Sequence, residues 1–157
     1  MGLVGAMAAA GVMGRYEEVL AANVLIAFFI PGIVYLADAV GTQTETLIVR
    51  GLSVGVTIRS VALRELATGV LVGGALASLF LVAGGIIWPD HRSVIGSVSL
   101  AVGMACATAT GLAMALPALF RVLGMDPAFG SGPLATVVQD IVSIVIYLWV
   151  STWMLGG

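Results

Sequence analysis

The chain has 157 residues, of which 61% are hydrophobic and only 9% are charged, a composition unlike that of a water-soluble domain. Its formal net charge is −2 and it contains no lysine, which argues against a surface that binds nucleic acid. Cys106 is the single cysteine, so an internal disulfide is excluded. These properties predict an integral membrane protein.

Five stretches predict membrane-spanning helices, because a helix needs about 20 mainly apolar residues to cross the hydrocarbon core. They lie at residues 1–14, 19–49, 66–88, 93–120 and 133–155. The first is short for a complete crossing, so it is either a short helix or one that continues through Arg15. The second contains Pro31-Gly32, which predicts a kink. Small residues recur every four positions in the third and fourth, a spacing that predicts close packing between those two helices.

The predicted fold class is all-α, a single polytopic membrane domain with five transmembrane helices. Four arginines fall in connections on one predicted side of the membrane, at Arg50, Arg59, Arg64 and Arg121. The two arginines on the opposite side lie beside acidic residues. The positive-inside rule therefore predicts a multi-pass protein of the cell membrane, with its amino terminus in the cytoplasm and its carboxyl terminus outside.

Polar side chains form two lines on the predicted helices, since residues three, four and seven apart share a helix face. These residues are Thr136, Asp140, Ser143 and Tyr147 on the last helix, and Asp38, Thr42 and Glu45 on the second. A carboxylate near the middle of a bilayer costs at least about 2.5 to 3.5 kcal/mol, so such an acid usually faces water, an ion or a partner. Asp140 is therefore the leading functional candidate. The alternative is an aspartate near a helix end that hydrogen-bonds a neighbour.

The remaining acids in or near the predicted helices each have two interpretations. Asp38 either lines the same route as Asp140 or caps a helical segment that resumes after the proline. Glu45 either has a role in a pore or extends its charge towards the membrane surface, where it could pair with Arg50. Asp126 precedes Pro127, an arrangement that favours helix capping.

The chemistry of these residues favours ion movement over catalysis. The sequence contains no evident nucleophile and base pair, phosphate-binding loop or cluster of histidines. The acids and hydroxyls of the two polar lines all offer oxygen, the donor that hard divalent cations prefer. We therefore expect a protein that is not an enzyme and that handles a divalent cation.

Two motifs resemble those of MgtE-type magnesium channels and transporters, to which the eukaryotic solute carrier family 41 is related. The first motif consists of GMDPA at 124–128 and SGPLAT at 131–136, followed by Asp140 and Tyr147. The second consists of GTQ at 41–43, TL at 46–47 and VRGL at 49–52, with REL at 64–66 resembling the start of the family's third helix. The resemblance extends over roughly residues 16–155.

The resemblance implies a homodimer in the lipid bilayer whose pore follows the subunit interface and is lined by the second and fifth helices. It implies that Asp140 recognises a transported Mg²⁺ ion that keeps its water shell, which is reasonable because Mg²⁺ releases water reluctantly. Related ions that remain open are Mn²⁺, Co²⁺ and Ca²⁺. The implied metal-site residues are Asp140, Thr136, Ala135, Asp38, Gly41 and Glu45.

The sequence also departs from the family pattern. Bacterial members usually carry Gly-Asn-Ala before Gly-x-Gln, where this chain has Asp38-Ala39-Val40, and Glu45 stands where small hydroxyl residues are common. The cytosolic amino-terminal and CBS regulatory domains of full-length bacterial relatives have no counterpart in this sequence. We therefore expect either a truncated chain or a stand-alone transport domain that is regulated differently.

The resulting hypothesis is that the protein transports Mg²⁺ or a similar divalent cation through a pore at the homodimer interface. An alternative is a divalent cation/proton exchanger in which Asp38 or Glu45 changes protonation during the cycle. An alternative of another class is a non-transporting membrane assembly subunit, whose acids pair with a partner's arginines.

Overall fold

The computed structural model describes residues 1–130 and 132–156, and in this part of the chain all regular structure is helical. The α-helices are α1 (Gly2–Gly14), α2 (Glu17–Ala22), α3 (Val24–Ser53), α4 (Ile58–Ile87), α5 (Arg92–Val122) and α6 (Pro133–Leu155). Two short 3₁₀ turns, Pro89–His91 and Pro127–Gly130, precede α5 and α6. The all-α prediction is confirmed.

Four helices in the described residues, α3 to α6, are long and apolar enough to cross a membrane. The first predicted span corresponds to α1, whose 13 residues extend only about 20 Å at the helical rise of 1.5 Å per residue. Helix α1 is therefore too short to cross the hydrocarbon core by itself. The structure supports a multi-helix membrane protein with four spans of full length.

The predicted spans match the observed helices to different degrees. The stretch 133–155 coincides with α6, whereas α4 begins eight residues before the predicted 66–88. The extra turns contain Arg59, Arg64 and Glu65. Such residues are favourable inside helices although they are unfavourable in hydrocarbon, so the helix extends beyond the apolar run that defined the prediction.

The second predicted span differs most from the structure. Residues 17–22 form the separate helix α2, and α3 begins after Asn23, whose Oδ1 accepts a hydrogen bond from the Leu25 N–H at 3.1 Å. Pro31 lies inside α3 without ending it. Tyr147 of α6 donates its hydroxyl to the Ile26 carbonyl at 2.8 Å, slightly more than one turn before the proline. This bond ties α6 to α3 near the proline, at the carbonyl one position before the one that Pro31 leaves without its backbone donor.

Helix α5 forms the centre of the bundle and packs against α3, α4 and α6. Its fully buried side chains are mostly small, including Val98, Ala101, Val102, Ala105 and Ala109. Small side chains allow helix backbones to approach closely, which is how helices gain packing energy inside a membrane. This core fixes the relative positions of α3 and α6, the two helices that carry the acids discussed below.

The contact between α4 and α5 confirms the predicted close packing of these helices. A Cβ atom added at Gly73 would lie 2.9 Å from the Cβ of Cys106 and 3.0 Å from the backbone oxygen of Gly103. A Cβ added at Gly69 would overlap the side chain of Thr110. Both glycines are therefore required by the close approach of the two helices.

Gly73→Ala is expected to destabilise the protein, because the added methyl group meets the backbone of α5 and overpacking costs about 1–3 kcal/mol. The matched control is Gly74→Ala, since a Cβ at Gly74 meets nothing within 4 Å. We expect Gly73→Ala in detergent to lower the midpoint of thermal unfolding by several degrees, at about 2–4 °C per kcal/mol. Equal midpoints for the two variants would contradict the described packing.

Candidate cation site

Asp140 lies two turns inside α6 and lines a groove of about 490 Å³ between α1, α3 and α6. Thr136, one turn earlier, lines the same groove, and Val34 contributes from α3. The Asp140 side chain is only partly exposed. The groove therefore presents one carboxylate and one hydroxyl among mainly apolar neighbours.

Helix α1 forms the remaining wall of this groove with small residues: Gly2, Gly5, Ala6 and Ala9. Its position against α6 is close, because a Cβ atom added at Gly5 would lie 2.7 Å from Cγ2 of Val137. Small side chains on α1 leave the volume beside Asp140 open. The short first helix therefore shapes the site without offering it a charged group.

Asp38 lies on α3 one turn after Val34, and residues four apart share a helix face. Its Oδ1 atom is buried and has no hydrogen-bond partner among the described residues. The capping interpretation of Asp38 is wrong, because α3 is continuous through this position and offers no helix start to cap.

Gln139 is a buried polar residue that precedes Asp140 on α6 and was absent from the predicted set. It is 1% exposed, and within the described residues neither its Oε1 nor its Nε2 has a hydrogen-bond partner. A Cβ atom added at Gly41 would overlap Oε1, so the amide lies directly against the backbone of α3. The signal in the sequence was an amide beside Asp140 within an apolar helix.

Glu45 occupies a different place from Asp140. It is buried, and its Oε1 accepts a hydrogen bond from the Gly132 N–H at 2.8 Å, immediately before α6. It lines a separate cavity of about 450 Å³ with Thr42, Thr46 and Arg50. Its carboxylate is directed towards the start of α6, and the pairing of Glu45 with Arg50 stays a prediction. A negative group there is favourable, since the first N–H groups of a helix lack internal partners.

The six predicted site residues are thus only partly brought together. Thr136 and Asp140 share the groove and Glu45 lines the other cavity, whereas Asp38 is not among the residues that line either one. Ala135 and Gly41 are buried and are not among the residues that line the groove.

The predicted polar line on α6 also divides into an open part and a buried part. Ser143 and Tyr147 are buried, and the Tyr147 hydroxyl is bonded to α3. Asp126 acts as predicted, because its Oδ1 accepts the Ala128 N–H at 2.9 Å. Only the segment of the line that contains Thr136 and Asp140 is therefore available to a ligand.

Few described side chains of the kinds that commonly bind metal ions lie close together. In the part of the chain that the structure describes, no three His, Cys, Asp or Glu side chains are grouped so that they could hold a metal ion. Within the described part of one protomer, Asp140 is therefore not joined by two further side chains of these types.

An all-helical bundle with membrane-length apolar helices and carboxylates inside it has the organisation of a membrane transport protein. The family model that describes the MgtE divalent cation transporters matches residues 30–150. The chain therefore belongs to the MgtE family of divalent cation transporters.

Individual relatives agree with this assignment. The chain is 31% identical over 153 residues to a magnesium transporter MgtE of Thermus thermophilus, covering 95% of this chain and 34% of the relative. It is 30% identical over 145 residues to that of Bacillus subtilis, covering 90% and 32%. It is 32% identical over 147 residues to that of Enterococcus faecalis, again covering 90% and 32%. The chain thus spans about a third of the length of these curated relatives.

Gly41→Ala is expected to destabilise the junction of α3 and α6, because the new methyl group would overlap the Gln139 amide. The expected cost is about 1–3 kcal/mol, measured as a lower midpoint of thermal unfolding in detergent. Gly32→Ala, on the same helix, is the matched control, since a Cβ there meets nothing within 4 Å. When Gln139 is also replaced by alanine, the Gly41→Ala substitution should lower the unfolding midpoint by less, because the amide that the new methyl group meets has been removed. An equally large decrease in both backgrounds would show that the methyl group clashes with a different residue.

Proposed function

We propose that the chain conducts Mg²⁺, or a divalent cation of similar size, across the membrane along a pathway that passes Asp140. The observation that carries this proposal is a carboxylate two turns inside an apolar helix that lines an open groove. An acid at such a depth is costly unless it meets water, an ion or a partner. Membership of a family of divalent cation transporters supports the same function.

The size of the groove supports recognition of a hydrated ion by Asp140. Mg²⁺ prefers six octahedral ligands and keeps most of its water, and six waters occupy about 180 Å³ at about 30 Å³ each. The groove of about 490 Å³ has room for such a shell. Asp140 would accept hydrogen bonds from the bound water, and the Thr136 hydroxyl would add a neutral oxygen.

A homodimer with the pore at its interface completes the proposal. Two copies of Asp140 would offset the charge of one divalent ion, which a single copy cannot do. Asp38 would line the approach, whereas Glu45, Gly41 and Ala135 would act by holding α6 against α3. Glu45 supports this role through its hydrogen bond to Gly132.

The driving force and direction follow from the proposed orientation. The end of the bundle with Arg50, Arg59, Arg64 and Arg121 would face the cytoplasm, with the carboxyl terminus outside. An inside-negative potential contributes about 2.3 kcal/mol per charge per 100 mV, and about twice that for a divalent ion. Uptake would therefore need no chemical fuel.

Asp140→Asn is expected to reduce divalent cation flux by about 10- to 100-fold, because it removes the charge that holds the hydrated ion. The measurement is Mg²⁺ entry into proteoliposomes loaded with a Mg²⁺-sensitive dye, under an inside-negative potassium diffusion potential. Asp90→Asn is the matched control, since Asp90 is exposed in the Pro89–His91 turn far along the chain from α6. Unchanged rate and selectivity for Asp140→Asn would remove Asp140 from the pathway.

The same vesicles test the two alternative functions. A pH-sensitive dye would report proton movement stoichiometric with metal entry if the protein were a cation/proton exchanger. Vesicles that contain the folded wild-type chain and admit no divalent cation would contradict transport by this chain alone. That result would favour an assembly subunit.

A further inference from the structure

A second opening in the bundle lies between α4 and α5, near the end of the bundle where α4 ends and α5 begins. Leu81 and Gly85 of α4 line a cavity of about 300 Å³ together with Arg92 and Ile95 of α5. A neighbouring cavity of about 280 Å³ also contacts Leu81 and continues between the two helices as far as Leu100. We call the two cavities together the α4–α5 cleft. It shares no described lining residue with the groove that contains the acid of α6.

The α4–α5 cleft opens on the side of the bundle that faces lipid. Helix α4 is the least covered of the four membrane-length helices, because 11% of its most apolar window is buried, against 28% or more in each of the others. Its exposed side chains near the cleft are large and apolar, namely Leu79, Val82 and Ile86. An apolar helix face that the protein leaves uncovered in a membrane lies against lipid tails. A lipid molecule can therefore reach the cleft from the bilayer.

Arg92 places a positive charge at the mouth of the cleft. It is the first residue of α5, its side chain is exposed, and it is the one charged residue among the described residues that line the cleft. Among the described residues its guanidinium forms neither an ion pair nor a side-chain hydrogen bond. A guanidinium presents a planar fork of donors that matches two oxygens of a phosphate. The mouth of the cleft is therefore complementary to a phosphate group.

The interior of the cleft is apolar, although two serines line it. The Ser78 hydroxyl donates to the Gly74 carbonyl at 2.8 Å, and the Ser99 hydroxyl donates to the Ile95 carbonyl at 2.8 Å. Each hydroxyl is thus satisfied by its own helix and needs no polar ligand. The other residues that line this inner part are leucine, alanine and glycine. The interior is therefore suited to a hydrocarbon chain.

The length of the cleft relates its charged mouth to its apolar interior. The distance along α5 from Arg92 to Leu100 is about 12 Å at the helical rise of 1.5 Å per residue. One leaflet contributes about 15 Å to a hydrocarbon core of about 30 Å. Because Arg92 immediately precedes the apolar run of α5, the cleft extends from the membrane surface into a single leaflet. A phospholipid has its phosphate and its acyl chains in this same relation.

We propose that the α4–α5 cleft binds one anionic phospholipid per protomer, with the phosphate on Arg92 and an acyl chain between Leu81 and Leu100. An anionic lipid is favoured over a zwitterionic one, because the ammonium group of a zwitterionic head group offsets the phosphate charge that the arginine recognises. The lipid site lies outside the proposed ion pathway. It therefore goes beyond the proposed function and does not depend on it.

The test is the number of phospholipids that the purified full chain retains in detergent, measured by native mass spectrometry. Dioleoyl phosphatidylglycerol and dioleoyl phosphatidylcholine are compared, since they have the same chains and differ in charge. We expect one phosphatidylglycerol per protomer, bound about tenfold more tightly than phosphatidylcholine, because a hydrogen-bonded charge contributes at least that much. Inorganic phosphate should not displace the lipid, because it can occupy only the mouth of the cleft.

Two variants separate the charge from the cleft. Arg92→Gln should remove the preference for phosphatidylglycerol, and Arg15→Gln is its control, since Arg15 is also exposed and does not line the cleft. Gly85→Leu should weaken retention of either lipid by about tenfold, because the new side chain fills the cleft. A Cβ at Gly85 meets nothing within 4 Å, and the same holds for Gly74, which does not line the cleft. Gly74→Leu is therefore the matched control and should bind lipid as the wild type does.

Four results would overturn the inference. Equal affinity of the wild type for the two lipids would remove the charge recognition, and this comparison decides the matter even if a variant fails to fold. An Arg92→Gln protein that keeps the preference would place the phosphate elsewhere. Full displacement by inorganic phosphate would reduce the site to one for a free anion. A Gly85→Leu protein that retains lipid like the control but dissociates into monomers would assign the cleft to a second copy of the chain.

Discussion

The structure depends on one electrostatic constraint: a carboxylate inside an apolar helix must face water, a cation or a hydrogen-bonding partner. Asp140 meets this condition by lining a groove rather than by pointing into the packed core. Asp38 on α3 is subject to the same constraint, because its Oδ1 atom is buried and has no hydrogen-bond partner among the described residues. The candidate cation site is the place where this cost can be offset.

The rest of the bundle holds the acids in position. Small residues on α5 bring α3 and α6 together, and the glycine at position 41 leaves space for the Gln139 amide against α3. Tyr147 ties α6 to α3 near the proline, while Glu45 ties the last third of α3 to the start of α6. The two tethers lie on opposite sides of Asp140 along α6. The polar residues outside the groove therefore serve mainly to fix the geometry of those inside it.

The length of apolar runs was sufficient to predict an all-α membrane protein and the bounds of α6, because hydrocarbon thickness sets the length of an uncharged helix. The apolar runs could not define the bounds of α3, because its start depends on the Asn23 cap and the helix continues through Pro31. The groove position of Asp140 was predictable from a lone acid among apolar residues. Gln139 was missed because its burial depends on contact with Gly41, which lies 98 positions earlier in the chain and is brought near only by folding.

Locating the bound ion tests most directly whether Asp140 lines the ion pathway. Crystals of the protein grown with Mn²⁺ would give an anomalous difference map at the manganese absorption edge. We expect a peak in the groove beside the Asp140 carboxylate, between α1, α3 and α6 or on the axis that relates two copies. A map with bound manganese only at other sites, and with Asp140 bonded solely within its own protomer, would contradict it.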